Sequence, residues 1–262
     1  MKTSRARKLV YCLLVFCLLT CFEASAGEPL RVFFLRHGEG GHNVMNEWKS
    51  KPKSEWPSYV GNPDAFTPKG EAQVAEATKK LEGMKFDFIA VSPLWRARNT
   101  ILPYLKSTSA RAEIWQELTE TRSTGTATPR GLPPPSSTLF EGAGNLKIPD
   151  EEAAFFTFRD GGKQVLKGAG NDETQATADA IALSEKTALL LRERFGRSGK
   201  TVLLVGHGNA GVTLIRILTG SPVPALENAR LWMAEEQPDG SFQLTILNGE
   251  PFPKSPKELP GR

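Results

Sequence analysis

Short unbroken apolar runs alternate along the chain with longer stretches in which apolar residues recur every three or four positions. Runs at Arg31–Leu35, Asp87–Val91, Ala112–Trp115 and Lys200–Val205 are brief, β-branched or aromatic, and predict buried strands. Two later runs, Ala229–Ala234 and Phe242–Leu247, predict closing strands. Between them lie helical patterns. Thr67 followed by Pro68 is an N-cap with proline at the first helical position, and the helix carries Val74, Ala75, Ala77 and Leu81 to a stop at Gly83. Further helices are predicted from Pro93 or Leu94 to about Ser107, over Thr174–Phe195, and over Asn209–Leu218. Strands alternating with helices imply an α/β fold: a three-layer sandwich with a mostly parallel central sheet and helices on both faces. No internal repeat is present.

The pattern dissolves over residues 123–172. Pro129, Pro133, Pro134 and Pro135, with interspersed Gly and Ser, make this a loop-rich insertion, with a short helix or strand expected at Glu151–Phe158. It interrupts a domain spanning 27–250. Residues 251–262 are rich in Pro and Lys and predict a loose tail.

The first 26 residues have a different character. Lys2, Arg5, Arg7 and Lys8 precede an apolar stretch, Leu9–Phe22, and Ala24-Ser25-Ala26 supplies an A-x-A cleavage pattern. This reads as a secretory signal, too short to span a bilayer comfortably, so the mature protein is expected to be secreted, without stable membrane association. An uncleaved anchor is the competing reading. All three cysteines, Cys12, Cys17 and Cys21, fall in this segment, so the remainder contains none. Without residues 1–26 the chain has 29 basic and 28 acidic residues. No basic stripe remains, which argues against nucleic acid as a partner.

Three predicted strands end in unusual chemistry: Arg36-His37-Gly38, Ser92-Pro93-Leu94-Trp95-Arg96, and Gly206-His207-Gly208. In a parallel sheet such ends share one rim. Arginine offers planar, bidentate donors that match phosphate oxygens. A neutral imidazole can attack phosphorus, and a second one beside it can donate a hydrogen bond. Helices starting near Leu94 and Asn209 add amide donors and a favourable dipole. Together these suit phosphoryl transfer, where charge stabilisation dominates.

The same residues resemble the histidine phosphatase superfamily, in its phosphoglycerate-mutase-like branch. Arg36-His37-Gly38-Glu39 with Asn43 is similar to the R-H-G-E-x-x-x-N opening of that branch. Phe66-Thr67-Pro68-Lys69-Gly70-Glu71-Ala72-Gln73 is similar to its L-T-x-x-G-x-x-Q helix start. Ser92 to Thr100 fits its S-x-L-x-R-A-x-x-T segment, Leu118-Thr119-Glu120 its L-x-E context, and Gly206-His207-Gly208 its second histidine. The resemblance implies that His37 is the nucleophile and forms a phosphohistidine. Arg36, Arg96 and His207 would hold the phosphoryl oxygens, with Asn43 helping and Gly208 beside them, and Glu120 would protonate the leaving oxygen. It implies a phosphomonoesterase acting on a small phosphorylated substrate, with no cofactor and no metal. A mutase-type transfer and a non-catalytic phospho-ligand module are the alternatives. The sequence departs from the family at Gly40, usually Ser or Thr, and at His42, usually aromatic; both bear on substrate identity.

Other residues carry competing readings. Arg98 is expected to be a solvated helix residue, since the motif puts the functional arginine at Arg96. Glu117 competes with Glu120 for the acid role, and Glu120 is favoured on the motif. His42 either caps a helix, faces solvent or contacts substrate. Trp48, Trp56 and Tyr59 are expected to pack rather than line a pocket. Glu173-Thr174 is a plain helix start or lies near the site. His37, Glu39 and His42 lack the spacing of a metal site. Gly206 to Gly211 also reads as G-x-G-x-x-G, but too little chain follows for the rest of a dinucleotide-binding half.

The processing expectation is testable. Intact mass of the secreted protein should place the N-terminus at Gly27; retention of Met1–Ala26 would refute cleavage.

Overall fold

The computed structural model describes residues 27–120, 148–159 and 173–252. Eight strands form one sheet: β1 (Arg31–Arg36), β2 (Phe88–Val91), β3 (Ala112–Ile114), β4 (Phe156–Phe158), β5 (Thr201–Gly206), β6 (Leu231–Glu236), β7 (Phe242–Leu247) and β8 (Glu250–Pro251). Their order is β4-β3-β2-β5-β1-β6-β7-β8. From β4 to β1 every pairing is parallel, while β6, β7 and β8 add antiparallel neighbours. Four longer helices cover the sheet: α1 (Pro68–Leu81), α2 (Trp95–Thr108), α3 (Glu173–Phe195) and α4 (Gly208–Thr219).

The period-two alternation of the strands decides which helix covers which face. Val32, Phe34, Val202 and Leu204 point to one side, where Ala188, Leu191 and Phe195 of α3 and Leu214, Ile215 and Leu218 of α4 cover them. Leu35, Val91, Leu203 and Val205 point to the other, against Ala77 and Leu81 of α1 and Ala97, Ile101 and Leu105 of α2. Both faces of β1 and β5 are therefore dry, which is why these strands read as unbroken apolar runs. Each large aliphatic side chain so buried contributes about 1.5–3 kcal/mol. Phe34 stacks on Trp232 with ring planes 3° apart and centroids 5.5 Å apart, joining β1 to β6. The three-layer α/β sandwich expected from the sequence is the observed fold. No helix among the described residues is long and apolar enough to cross a membrane.

Differences from the sequence reading have local causes. β6 begins at Leu231, not Ala229, because Ala229 sits at φ 53°, outside the extended region. Its N–H donates to the carbonyls of Arg36 and His37 instead of entering a ladder. Within the expected insertion, residues 150–153 form a single helical turn and Phe156–Phe158 forms an edge strand on β3. Residues 123–147 and 160–172, residues 1–26 and the tail beyond Phe252 lie outside the described residues.

Arg98 corrects an expectation. It is not solvated: it is 2% exposed, donates from Nη1 to the Pro93 carbonyl, and pairs with Glu152 at 3.3 Å. Asn99 Nδ2 holds the other Glu152 oxygen, also at 3.3 Å. Glu152 lies on the helical turn just before β4, so this buried pair fastens the edge strand to α2. The periodicity of α2 alone could not reveal this, because the partner lies 54 residues away.

Removing one member of a buried pair strands the other charge and costs about 3–5 kcal/mol. Glu152→Ala should therefore lose about 3 kcal/mol in urea denaturation, with Arg98→Met/Glu152→Leu recovering most of it. A loss below about 0.5 kcal/mol, the value for a surface residue, would contradict the buried pairing.

Candidate active site

Register brings the three unusual strand ends together. Arg36 lies opposite Gly206, and Val91 lies opposite Val205. The residues that follow, His37, Ser92 and His207, therefore emerge on one rim, at the carboxyl ends of three adjacent parallel strands. His37 and His207 are fully buried, with ring centroids 5.2 Å apart. His42 joins them, its ring 5.5 Å from that of His37. The chain has only three histidines, and all three meet here.

The loop after β1 is held from α1 and α2. Gly38 N–H donates to Thr100 Oγ1 at 2.9 Å, and that hydroxyl donates to the Arg96 carbonyl at 2.7 Å. Glu39 N–H donates to Gln73 Oε1 at 2.9 Å. The Glu39 carboxylate accepts from Thr67 Oγ1 and Lys69 Nζ, each at 2.8 Å. Thr67 also caps α1, accepting from Gly70 N–H at 2.9 Å; such a cap contributes about 1 kcal/mol. Gly70 is required here: a Cβ on it would fall 2.0 Å from the Glu39 carbonyl oxygen. The T-x-x-G-x-x-Q residues thus act as the clamp for the R-H-G-E loop. Since the two Glu39 oxygens are engaged by Thr67 and Lys69, they do not combine with His37 and His42 into a ligand set. No cluster able to hold a metal ion occurs among the described residues.

His37 Nδ1 lies 2.7 Å from the Gly38 carbonyl. A carbonyl only accepts, so Nδ1 carries the proton and Nε2 has its lone pair free. Asn228 Nδ2 donates to the His37 carbonyl at 3.0 Å, bracing the same residue from the β6 side. Ser92 Oγ lies 2.8 Å from His207 Nε2 and accepts from Leu94 N–H at 3.3 Å. Asn43 Oδ1 accepts from Gly40 N–H at 2.9 Å, closing the loop on itself.

Electrostatics follow from burial. All three imidazoles are held well below the ordinary histidine value, first by desolvation and then by the charge of Arg96. They are neutral at pH 7. Arg96, fully buried, is lowered by desolvation to about 10 and keeps its charge. Arg36 is also lowered by burial, with Glu120 and Glu39 acting against the shift. Arg36 Nη1 donates to the Leu226 carbonyl. Four buried nitrogens have no hydrogen-bond partner among the described residues: Nε of Arg36, Nε of Arg96, Nδ1 of His42 and Nδ1 of His207. Unpartnered buried polar nitrogens are costly, and those of Arg36, Arg96 and His42 belong to residues on one cavity wall, where anionic oxygens could meet them.

Arg36, His37, His42, Asn43, Arg96, Glu120 and Gly208 line a single cavity of about 650 Å³. His207 lies behind His37, against Ser92. Glu120 is on the cavity wall; Glu117 is not. Glu117 is buried and accepts from Arg159 at 2.6 and 2.7 Å and from Lys186 at 2.7 Å. Burial would raise its carboxyl, but Lys186 and Arg159 outweigh that and hold it below the usual value. Glu117 therefore ties the segment after β3 to α3 and to Arg159 just past β4, and does not offer its carboxyl to the cavity. Trp48 and Trp56 sit under Lys51 and Lys53, outside the cavity, and Tyr59 is also absent from its lining. The side chains of Glu173 and Thr174 lie outside the described set.

The sequence reading missed the cavity's second wall. Thr177, Ala180 and Ile181 of α3 face Val212, Thr213 and Arg216 of α4, and Leu226 lies on the connection that follows. The only sequence signal was spacing: Thr177, Ala180 and Ile181 recur at i, i+3 and i+4, and Asn209, Val212, Thr213 and Arg216 at i, i+3, i+4 and i+7, one helix face each. The G-x-G-x-x-G reading of residues 206–211 resolves into packing, since a Cβ on Gly211 would lie 2.5 Å from Leu226 and 2.7 Å from Phe34.

Comparison with known proteins agrees with this geometry. Residues 32–126 match the sequence profile of the histidine phosphatase superfamily (branch 1). No curated protein sequence matches the chain significantly. Among solved structures, "mycobacterial hydrolase 1" superposes with a TM-score of 0.54 at 18% identity, covering 85% of this chain and 100% of its own. A mycobacterial glucosyl-3-phosphoglycerate phosphatase gives 0.51 at 18%, covering 85% and 100%. An Escherichia coli protein proposed as an α-ribazole-5′-phosphate phosphatase gives 0.52 at 19%, covering 84% and 96%. At such identities these likenesses establish the fold. The profile match spans the segment that carries Arg36, His37, Arg96 and Glu120, and over that segment the chain is similar to the histidine phosphatase superfamily (branch 1).

Proposed function

We propose that the protein is a phosphomonoesterase that works through a phosphohistidine on His37. The observation that carries this reading is the set of four unpartnered buried nitrogens around a neutral imidazole with a free Nε2. A phosphoryl group supplies oxygens for those donors and a phosphorus atom for that lone pair. In the first step His37 Nε2 attacks phosphorus, the bond from phosphorus to the ester oxygen breaks, and Glu120 gives its proton to the departing oxygen. In the second step water attacks the phosphohistidine, its proton passes to the Glu120 carboxylate, and the N–P bond breaks to regenerate His37. Arg36 and Arg96 hold the non-bridging oxygens throughout. Ser92, donating its hydroxyl proton to His207 Nε2, leaves the Nδ1–H of His207 for a third oxygen. Low protonation of His37 is a requirement here, because an imidazolium has no lone pair to offer. We further infer that the enzyme acts in the secretory pathway or outside the cell, on the character of residues 1–26; that setting favours hydrolysis over a glycolytic mutase step.

Rapid quench with labelled substrate should trap an acid-labile, alkali-stable phosphoryl adduct on His37. Label on His207, or no label under burst conditions, would overturn the assignment.

The acid can be tested through the leaving group. An alkoxide needs a proton as it departs, whereas a nitrophenolate barely does, and general acid catalysis is worth ~10²–10⁴ in rate. Glu120→Gln should depress hydrolysis of alkyl or sugar phosphates by about that factor while largely sparing p-nitrophenyl phosphate. Equal losses on both would give Glu120 a binding role instead.

A further inference from the structure

The cavity extends well beyond the donors that would hold a phosphoryl group. Its volume, about 650 Å³, falls in the range that accepts a ligand of many heavy atoms, more than the ester of a small alcohol fills. Its extension has a defined direction. Asn209, Val212, Thr213 and Arg216 follow one another at i, i+3, i+4 and i+7, so the cavity runs along one face of α4. With a rise of about 1.5 Å per residue, Arg216 stands about 12 Å along the axis from Gly208. Ala180 and Ile181 of α3 form the opposite wall.

The chemistry of that groove changes along its length. Near Gly208 it is cationic and donor-rich. Val212, Ile181, Ala180 and Leu226 then make it mainly apolar, with Thr177 and Thr213 among them, and Ile181 is 45% exposed, one of two large hydrophobic residues left so open among those described. At the far end a charge returns with Arg216, which forms no ion pair among the described residues. A basic residue in the last turn of a helix complements the helix dipole. That explains a cation at this position, but not an apolar channel leading to it from the phosphoryl end.

We infer that the leaving group is elongated, apolar in its middle, and ends in a second anion, a carboxylate or phosphate, which Arg216 receives. This rests on the phosphatase reading for its near end and adds the class of substrate. Selectivity would come from the match between the length of the leaving group and the separation of the two cationic ends, with the apolar walls excluding strongly hydrated linkers.

The test uses the chain from Gly27 with three ester series of increasing alkyl length: n-alkyl phosphates, ω-carboxyalkyl phosphates and α,ω-alkane bisphosphates. The quantity read is the ratio of kcat/KM for a charged-end ester to that for its uncharged counterpart. In the wild type this ratio should pass through a maximum at the length that spans the groove, and the carboxylate and bisphosphate arms tell which anion is preferred. Arg216→Gln should lower the maximum about tenfold, the scale of one hydrogen bond to a charged group. Arg216→Lys should restore most of it. A ratio that ignores length, or that survives Arg216→Gln, overturns the inference. Calorimetry with ω-carboxyalkyl phosphonates, which bind without turnover, separates the two readings. Length- and Arg216-dependent binding alongside no hydrolysis of any ester, p-nitrophenyl phosphate included, would refute the phosphatase reading and leave the groove assignment standing. Phosphonate binding indifferent to Arg216 would refute the groove assignment alone.

Discussion

Positive charge crowded together out of water is the constraint on which this molecule is organised. Arg36 and Arg96 approach each other at the end of a dry sheet, and each lowers the proton affinity of the imidazoles beside it. A protein interior tolerates such crowding only when the donors are fixed from outside, since their own mutual repulsion would otherwise scatter them. The fixing is done by backbone. Gly38, Glu39 and Gly40 each commit a main-chain N–H to a side chain, from Thr100, Gln73 and Asn43 respectively. Glu120, whose charge acts on both guanidiniums, is the acidic counterweight on the same wall.

The sheet supplies the other half of that rigidity. β1 sits in the middle, bonded to β5 on one side and β6 on the other, with both faces covered. The nucleophilic histidine proposed here follows a strand paired on both edges and covered on both faces. Thr100 adds a link of a different kind: one hydroxyl binds the loop after β1 and the first turn of α2. Displacing either His37 or Arg96 would strain the other. This coupling suits a reaction in which positioning and charge provide most of the acceleration.

Much of this was legible in the chain. Arg36, His37 and His207 stand at the ends of apolar runs and Arg96 in the first turn of the helix after another, and a parallel sheet leaves such residues little choice but to converge. Thr67, Gly70 and Gln73 were visible as a motif, though only the structure explains them as a clamp on Glu39. Part of what escaped did so through sequence distance. The burial of Arg98 depends on Glu152, and the role of Glu117 depends on Arg159 and Lys186; helical periodicity cannot register such partners. Ala229 escaped for another reason, because a positive φ in a non-glycine residue leaves no mark in composition. The second wall of the cavity escaped because Val212 and Ile181 look like ordinary helix residues until two helices are set face to face.

That second wall has a consequence for how the protein can diverge. On α4, Ala210, Gly211, Leu214, Ile215 and Leu218 are buried in the core, while Asn209, Val212, Thr213 and Arg216 face the cavity. The two sets share no residue. One helix therefore carries two texts that can be edited separately: replacements in the second alter what the groove admits without opening a void in the first. A lineage built on this helix can change what the groove admits by surface drift alone, with the fold and the cationic end of the cavity inherited intact.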